Sequence, residues 1–130
     1  MKNYQKINSI LVVFILFLFA CAPKDFTPFE KRIYTTTKTL EAAIEFRHLG
    51  LSITGNLYKK GLLPEKEKDK LIEIGDELYD IIITCQNALE LYYNTGVEQR
   101  LEKKLELYTQ IYGKFSDLVM PYILQHYEEE

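Results

Sequence analysis

The chain has no tryptophan, only two cysteines and two histidines, and no excess of positive charge. Each shortage removes a class of protein. Two cysteines, Cys21 and Cys85, are too few for a disulfide framework, so stability must come from packing. Sixteen Lys and Arg against nineteen Asp and Glu leave a net charge of −3. That argues against a nucleic-acid partner, whose backbone rewards basic patches. No glycine-rich phosphate loop, Cys-x-x-Cys or Ser-His-Asp arrangement is present, so no catalytic residues and no cofactor are expected. Nor is there an apolar stretch of the roughly 20 residues that cross a bilayer as a helix. The longest unbroken run, Ile10 to Ala20, has eleven.

That run is nevertheless the feature around which the chain is organised. Lys2 and Lys6 form a basic start, and the run ends at Leu18-Phe19-Ala20-Cys21. Length and flanks fit a signal peptide over residues 1–20. In these residues the chain resembles the bacterial lipoprotein class, with apolar Leu18 three positions before the cysteine and small Ala20 just before it. The resemblance implies cleavage between Ala20 and Cys21. It also implies lipidation of Cys21 by a thioether-linked diacylglycerol, often with a further N-acyl chain. Phe19 stands where small or β-branched residues are usual, which implies slower cleavage. Ala22 is not the Asp linked with inner-membrane retention in enteric cells. The outer membrane, facing the periplasm, is therefore the expected destination where there are two membranes. The plainer reading of the same residues is an uncleaved anchor helix that happens to end in a cysteine. Either way, the rest of the chain is expected outside the cytoplasm and tied to a membrane. Two or three acyl chains, at roughly 0.8 kcal/mol per buried CH2, make such an attachment effectively permanent.

Loss of residues 1–20 leaves about 110 residues, one small domain with a single core. It also removes Lys2 and Lys6 and no acid, which takes the net charge to −5. That balance argues against additional electrostatic binding to anionic lipid. With Cys21 carrying lipid, Cys85 stands alone.

Residues 21–28 contain two prolines and no apolar period, and are expected to form a short tether of about 20 Å. The remainder, 29–127, has helical periodicity throughout. A first helix is expected over 29–60, on a stripe of Ile33, Thr37, Leu40, Ile44, Leu51, Thr54 and Tyr58, with Gly61 as its C-terminal cap. Gly50, Ser52, Thr54 and Gly55 either bend it or admit a close neighbour, and close packing is the favoured reading. Pro64 and the acids behind it open a second helix over 64–94, on Leu71, Ile74, Leu78, Ile81, Ile82, Cys85, Ala88, Leu89 and Tyr92. Thr95 and Glu98 fit a capping box for a third helix over 95–126. Its stripe is Val97, Leu101, Leu105, Tyr108, Ile111, Tyr112, Phe115, Leu118, Val119 and Tyr122, and Pro121 is expected to kink or end it. Residues 128–130 form an acidic tail. Short connections force antiparallel neighbours, so the expected fold is an all-α, elongated, antiparallel three-helix bundle, up-down-up, about 45 Å long.

Candidate sites are sparse. Glu45-x-x-His48 matches one element of ferritin-like di-iron bundles, but that chemistry needs a second such element. His126 has no acid three residues before it, so no metal is expected and Glu41, Glu45 and His48 read as a solvated face. Glu73, Asp76, Glu77 and Asp80 likewise read as a hydrated face. Cys85, on an apolar stripe with no nearby base, reads as a buried structural thiol. Tyrosine is the unusual residue, with ten in the chain. Most suit a core whose hydroxyls reach its edge. Tyr79, Tyr93 and Tyr127 lie off the stripes and are candidates for a partner surface.

These observations point to a non-enzymatic envelope lipoprotein, held to the membrane through acyl chains on Cys21. Its bundle would bind a protein partner or itself. The alternative is an accessory lipoprotein of phage or mobile-element origin, of the immunity type, that neutralises a lytic or toxic protein.

Overall fold

A computed structural model describes residues 25–128, so the expected signal peptide, Cys21 and the tail residues 129 and 130 lie outside it. The described residues form three helices: α1 (Pro28–Lys59), α2 (Glu65–Thr95) and α3 (Gln99–Glu128). All three pack on one another as an up-down-up bundle. At 1.5 Å per residue each is about 45–48 Å long.

The ends of the helices follow from local chemistry. Thr27 caps α1, its side-chain oxygen accepting from the Glu30 amide at 3.2 Å, with Pro28 in the first turn. After Lys60, Gly61 takes a left-handed conformation at φ 74°. There the Gly61 amide donates to the Tyr58 carbonyl at 3.0 Å and the Leu62 amide to the Leu57 carbonyl at 2.9 Å. This paired arrangement satisfies carbonyls that the helix end leaves open. Gly96, at φ 70°, stops α2 by donating to the Tyr92 carbonyl at 2.8 Å.

The core falls into a main buried cluster and a smaller one of Ala88, Leu89, Tyr92 and Leu101 at the end where α1 begins, with half-buried Leu105 packed against both. Leu40, Leu57, Leu71, Leu78, Ile82, Cys85, Leu101, Phe115, Val119 and Met120 are essentially inaccessible. The α2 stripe is buried as expected, apart from a half-buried Ile74. On α1 the buried line is Thr36, Leu40, Ala43, Gly50, Ile53, Thr54 and Leu57. Leu40 and Thr54 are buried as expected, whereas elsewhere the buried line runs one position earlier: Ile33, Thr37, Ile44 and Leu51 flank the core, and Tyr58 lies outside it beneath the Lys68 ammonium.

Two expectations for α3 are corrected. Thr95 does not start it but ends α2. Its hydroxyl donates to the Leu91 carbonyl at 2.7 Å and accepts from the Val97 amide at 3.2 Å. The Glu98 carboxylate that would complete the box lies 2.7 Å from Arg32 Nε, so α3 begins at Gln99 and Val97 is left exposed. Of the two outcomes expected at Pro121, a kink or an end, the end is the one corrected, because the helix runs on to Glu128. The proline costs about 3 kcal/mol in ladder and crowding. Burial of Val119, Met120 and Ile123 around it returns about 1.5–3 kcal/mol each and outweighs that cost.

Gly50 fulfils the expectation of close packing. A Cβ there would lie 2.8 Å from Val119 Cγ2 and 3.1 Å from Phe115 Cζ. Its hydroxyl neighbour Thr54 is buried but satisfied, donating to the Gly50 carbonyl at 2.8 Å. Gly55 meets nothing within 4 Å and α1 is unbroken through it. Gly75 on α2 is a second close approach, with Leu51 carbons at 3.1 Å from a Cβ built there.

Candidate functional site

The end of the bundle where the chain enters is built from aromatic side chains. Phe26, just before the Thr27 cap, meets the Tyr34 ring edge-on at 5.8 Å. In the first turn of α1, Phe29 packs on Tyr92 at 4.9 Å and stacks on Tyr93 at 6.4 Å, both from the last turn of α2. Tyr92 is buried, whereas Tyr93 is 64 % exposed and nearby Val97 is 60 % exposed. These two are the most exposed of the large apolar residues described. The register of α2 explains the pair: Tyr92 completes its apolar stripe and Tyr93, one position on, must face outward. Arg32 ties α1 to the start of α3 beside this cap, with Nε 2.7 Å from Glu98 and Nη2 3.7 Å from Glu102.

Just beyond it, α1 and α3 stand apart. A groove of about 450 Å³ opens between Arg32, Thr35, Thr36 and Thr39 on one side and Leu105, Tyr108 and Thr109 on the other. Thr39 and Thr109 donate their hydroxyl protons to the Thr35 and Leu105 carbonyls of their own helices at 2.9 Å. They therefore offer the groove methyl groups and spare lone pairs rather than donors. A run of four threonines in five residues, Thr35 to Thr39, was the sequence signal for this gap, because small β-branched side chains cannot fill a helix seam.

Titratable groups in the core are held neutral. Burial pushes the Cys85 thiol up to about 11, against a small opposing pull from Lys104. That disfavours the thiolate, the reactive form. Burial also raises Tyr112 to about 12, and raises Tyr108 further, with Tyr112 and Cys85 adding to the effect. Among the described residues, no three His, Cys, Asp or Glu side chains gather closely enough to hold a metal ion. Glu41, Glu45 and His48 are exposed, as are Glu73, Asp76, Glu77 and Asp80.

The three candidate surface tyrosines are all exposed, but the fold does not gather them. Tyr93 belongs to the entry end and Tyr127 to the last turn of α3 at the other. Tyr79 lies between, with the Arg47 guanidinium 5.2 Å over its ring while Arg47 Nε donates to the Gly75 carbonyl at 2.6 Å. Fourteen residues of helix separate Tyr79 from Tyr93, about 21 Å. One compact partner cannot cover all three through a single small patch.

No described helix is long and apolar enough to cross a membrane. Compared with family models, curated proteins and solved structures, the chain matches none of them.

Proposed function

We propose that the chain is a lipid-anchored envelope protein whose three-helix rod acts by contact rather than by chemistry. One observation carries this reading: the fold starts almost immediately after Cys21. Phe26 already packs on the bundle and Thr27 caps α1, so only Ala22 to Asp25 separate the cysteine from the folded end. From Cys21 to Phe26 the chain spans at most about 18 Å. A lipid on Cys21 would therefore hold the entry end of the rod at the membrane surface, and an upright rod would display Tyr79 and Tyr127 at increasing height. A neutral, enclosed Cys85 and solvated carboxylates suit a contact role.

The test is in-cell photo-crosslinking of the membrane-bound protein from Tyr79 and Tyr127, beside a Cys21→Ser variant. The expected result is a discrete crosslinked product for the native chain, which Cys21→Ser loses together with membrane retention. A chain that gives no product from either position, and runs as an isolated monomer, would overturn the contact role. Retention of Cys21→Ser in the membrane would overturn the anchor.

A further inference from the structure

We infer that the entry end of the bundle is itself a lipid-contacting surface, seated at headgroup depth by Phe29, Tyr93 and Val97. This inference rests on the anchoring of Cys21 proposed above and adds a second, non-covalent attachment to it. Three observations converge on a lipid interface as the occupant. First, the covalent path is short. From Cys21 to Phe26 the chain spans at most about 18 Å, and the headgroup layer on each side of a bilayer is about 5–8 Å deep. The entry end therefore lies within reach of the interface at all times, a proximity that no other part of the rod has.

Second, the residues there are the kind that interfaces select. Tyrosine rings sit at headgroup level, with an apolar body and a hydroxyl that stays wet. Tyr93 is 64 % exposed yet held in place by stacking on Phe29, which in turn rests on buried Tyr92. Val97 projects from the α2–α3 turn at 60 % exposure with Leu91 also exposed on the last turns of α2. An isolated rod would leave this apolar group in water at the one end that the tether brings to lipid.

Third, electrostatics do not supply the attraction. The charges at this end balance, with Lys31, Arg32, Arg100, Lys103 and Lys104 set against Asp25, Glu30, Glu90, Glu98 and Glu102, and Arg32 is engaged by Glu98 and Glu102. Attachment through ring and aliphatic surface predicts little dependence on salt or on anionic lipid.

The absence of tryptophan makes the test clean. The full lipidated chain carrying Val97→Trp, and separately Leu62→Trp, is reconstituted into vesicles of phosphatidylethanolamine and phosphatidylglycerol brominated near the top of their acyl chains. Both positions are exposed turn residues at opposite ends of the rod, and helical circular dichroism of each variant reports an intact bundle. The same indole at Leu62 controls for its own affinity for lipid. The expected result is emission quenched by about half at position 97, unchanged in high salt, and almost none at position 62, about 45 Å away. Flotation of the vesicles reads anchoring independently. If the chain floats and position 97 is unquenched, this inference fails while the anchor stands. Equal quenching at both positions means the rod lies flat and also overturns it. So does protection of position 97 that grows with protein density but not with bromolipid, which would assign the surface to a second copy. A chain that does not float overturns the anchor and this inference together.

Discussion

The α1–α3 seam is closed at one station and open at another, and the two differ mainly in the side chains of α1. At Gly50 the absence of a side chain lets Phe115 and Val119 come within about a van der Waals diameter of the backbone. Fourteen residues earlier, around Thr36, the same helices leave a groove of about 450 Å³. Phe46 bridges the two stations, packing tilted against Tyr112 at 5.5 Å and meeting Phe115 edge-on at 5.8 Å. A glycine thus sets the closest approach, and threonines fail to fill the space where the helices diverge. The groove and the exposed aromatic surface share the end where α1 begins.

The largest effect is expected from removing the ring that closes the seam. Phe115→Ala should cost about 3–5 kcal/mol in denaturant unfolding, because the ring is fully buried and leaves a cavity. A cost below about 1 kcal/mol would mean that the closed station does not hold the rod. Gly50→Ala tests the same station from the other side. Alanine favours helix by about 1 kcal/mol, yet the steric conflict with Val119 and Phe115 should dominate and leave a net loss of about 1–2 kcal/mol. Gly55→Ala, with open space around it, should instead gain about 0.5–1 kcal/mol, so opposite signs at two glycines five residues apart are expected.

Alkali should loosen the closed stretch. The Cys85 thiol ionises near 9.0 in an unfolded chain and near 11 in the fold, and Tyr112 near 10.0 against about 12. The unfolded chain therefore loses these protons first, and stability should fall as pH rises from about 9 to 12. Urea midpoints across that range check it, and Cys85→Ala should remove the lower part of the fall. The smallest effect belongs to the open station. Thr39→Leu places methyl groups in the groove and strands no partner, since its hydroxyl serves only its own helix. Its stability should stay within about 1 kcal/mol of the native chain, where a similar enlargement at Gly50 would not be tolerated.

Much of this arrangement was legible in the sequence. The three helices, their order, the Gly61 stop and the α2 stripe follow from periodicity and end signals, because α2 has one unambiguous apolar face. The closeness at Gly50 was legible too, since small residues in a helix have few other uses. What escaped was decided by partners distant in sequence. The Thr95–Glu98 box fails because Arg32, more than sixty residues earlier, takes the Glu98 carboxylate. Pro121 is tolerated because burial on both sides of it exceeds a local cost. Part of the α1 stripe slipped by one position, with Leu40 and Thr54 holding, because threonines and alanines give a weak apolar signal. The cap at Thr27 lay inside a stretch whose two prolines suggested only a tether. The aromatic end was visible as individual residues, but only the fold brings Phe29 to Tyr92 and Tyr93.

Whether a lipid on Cys21 holds this rod at a membrane is decided by the intact mass of the protein extracted from its own membranes. The expected species is a chain that begins at Cys21, heavier than its amino-acid mass by a diacylglycerol, with or without one further acyl chain. A chain that retains Met1, or one that begins elsewhere with an unmodified Cys21, would contradict the anchor.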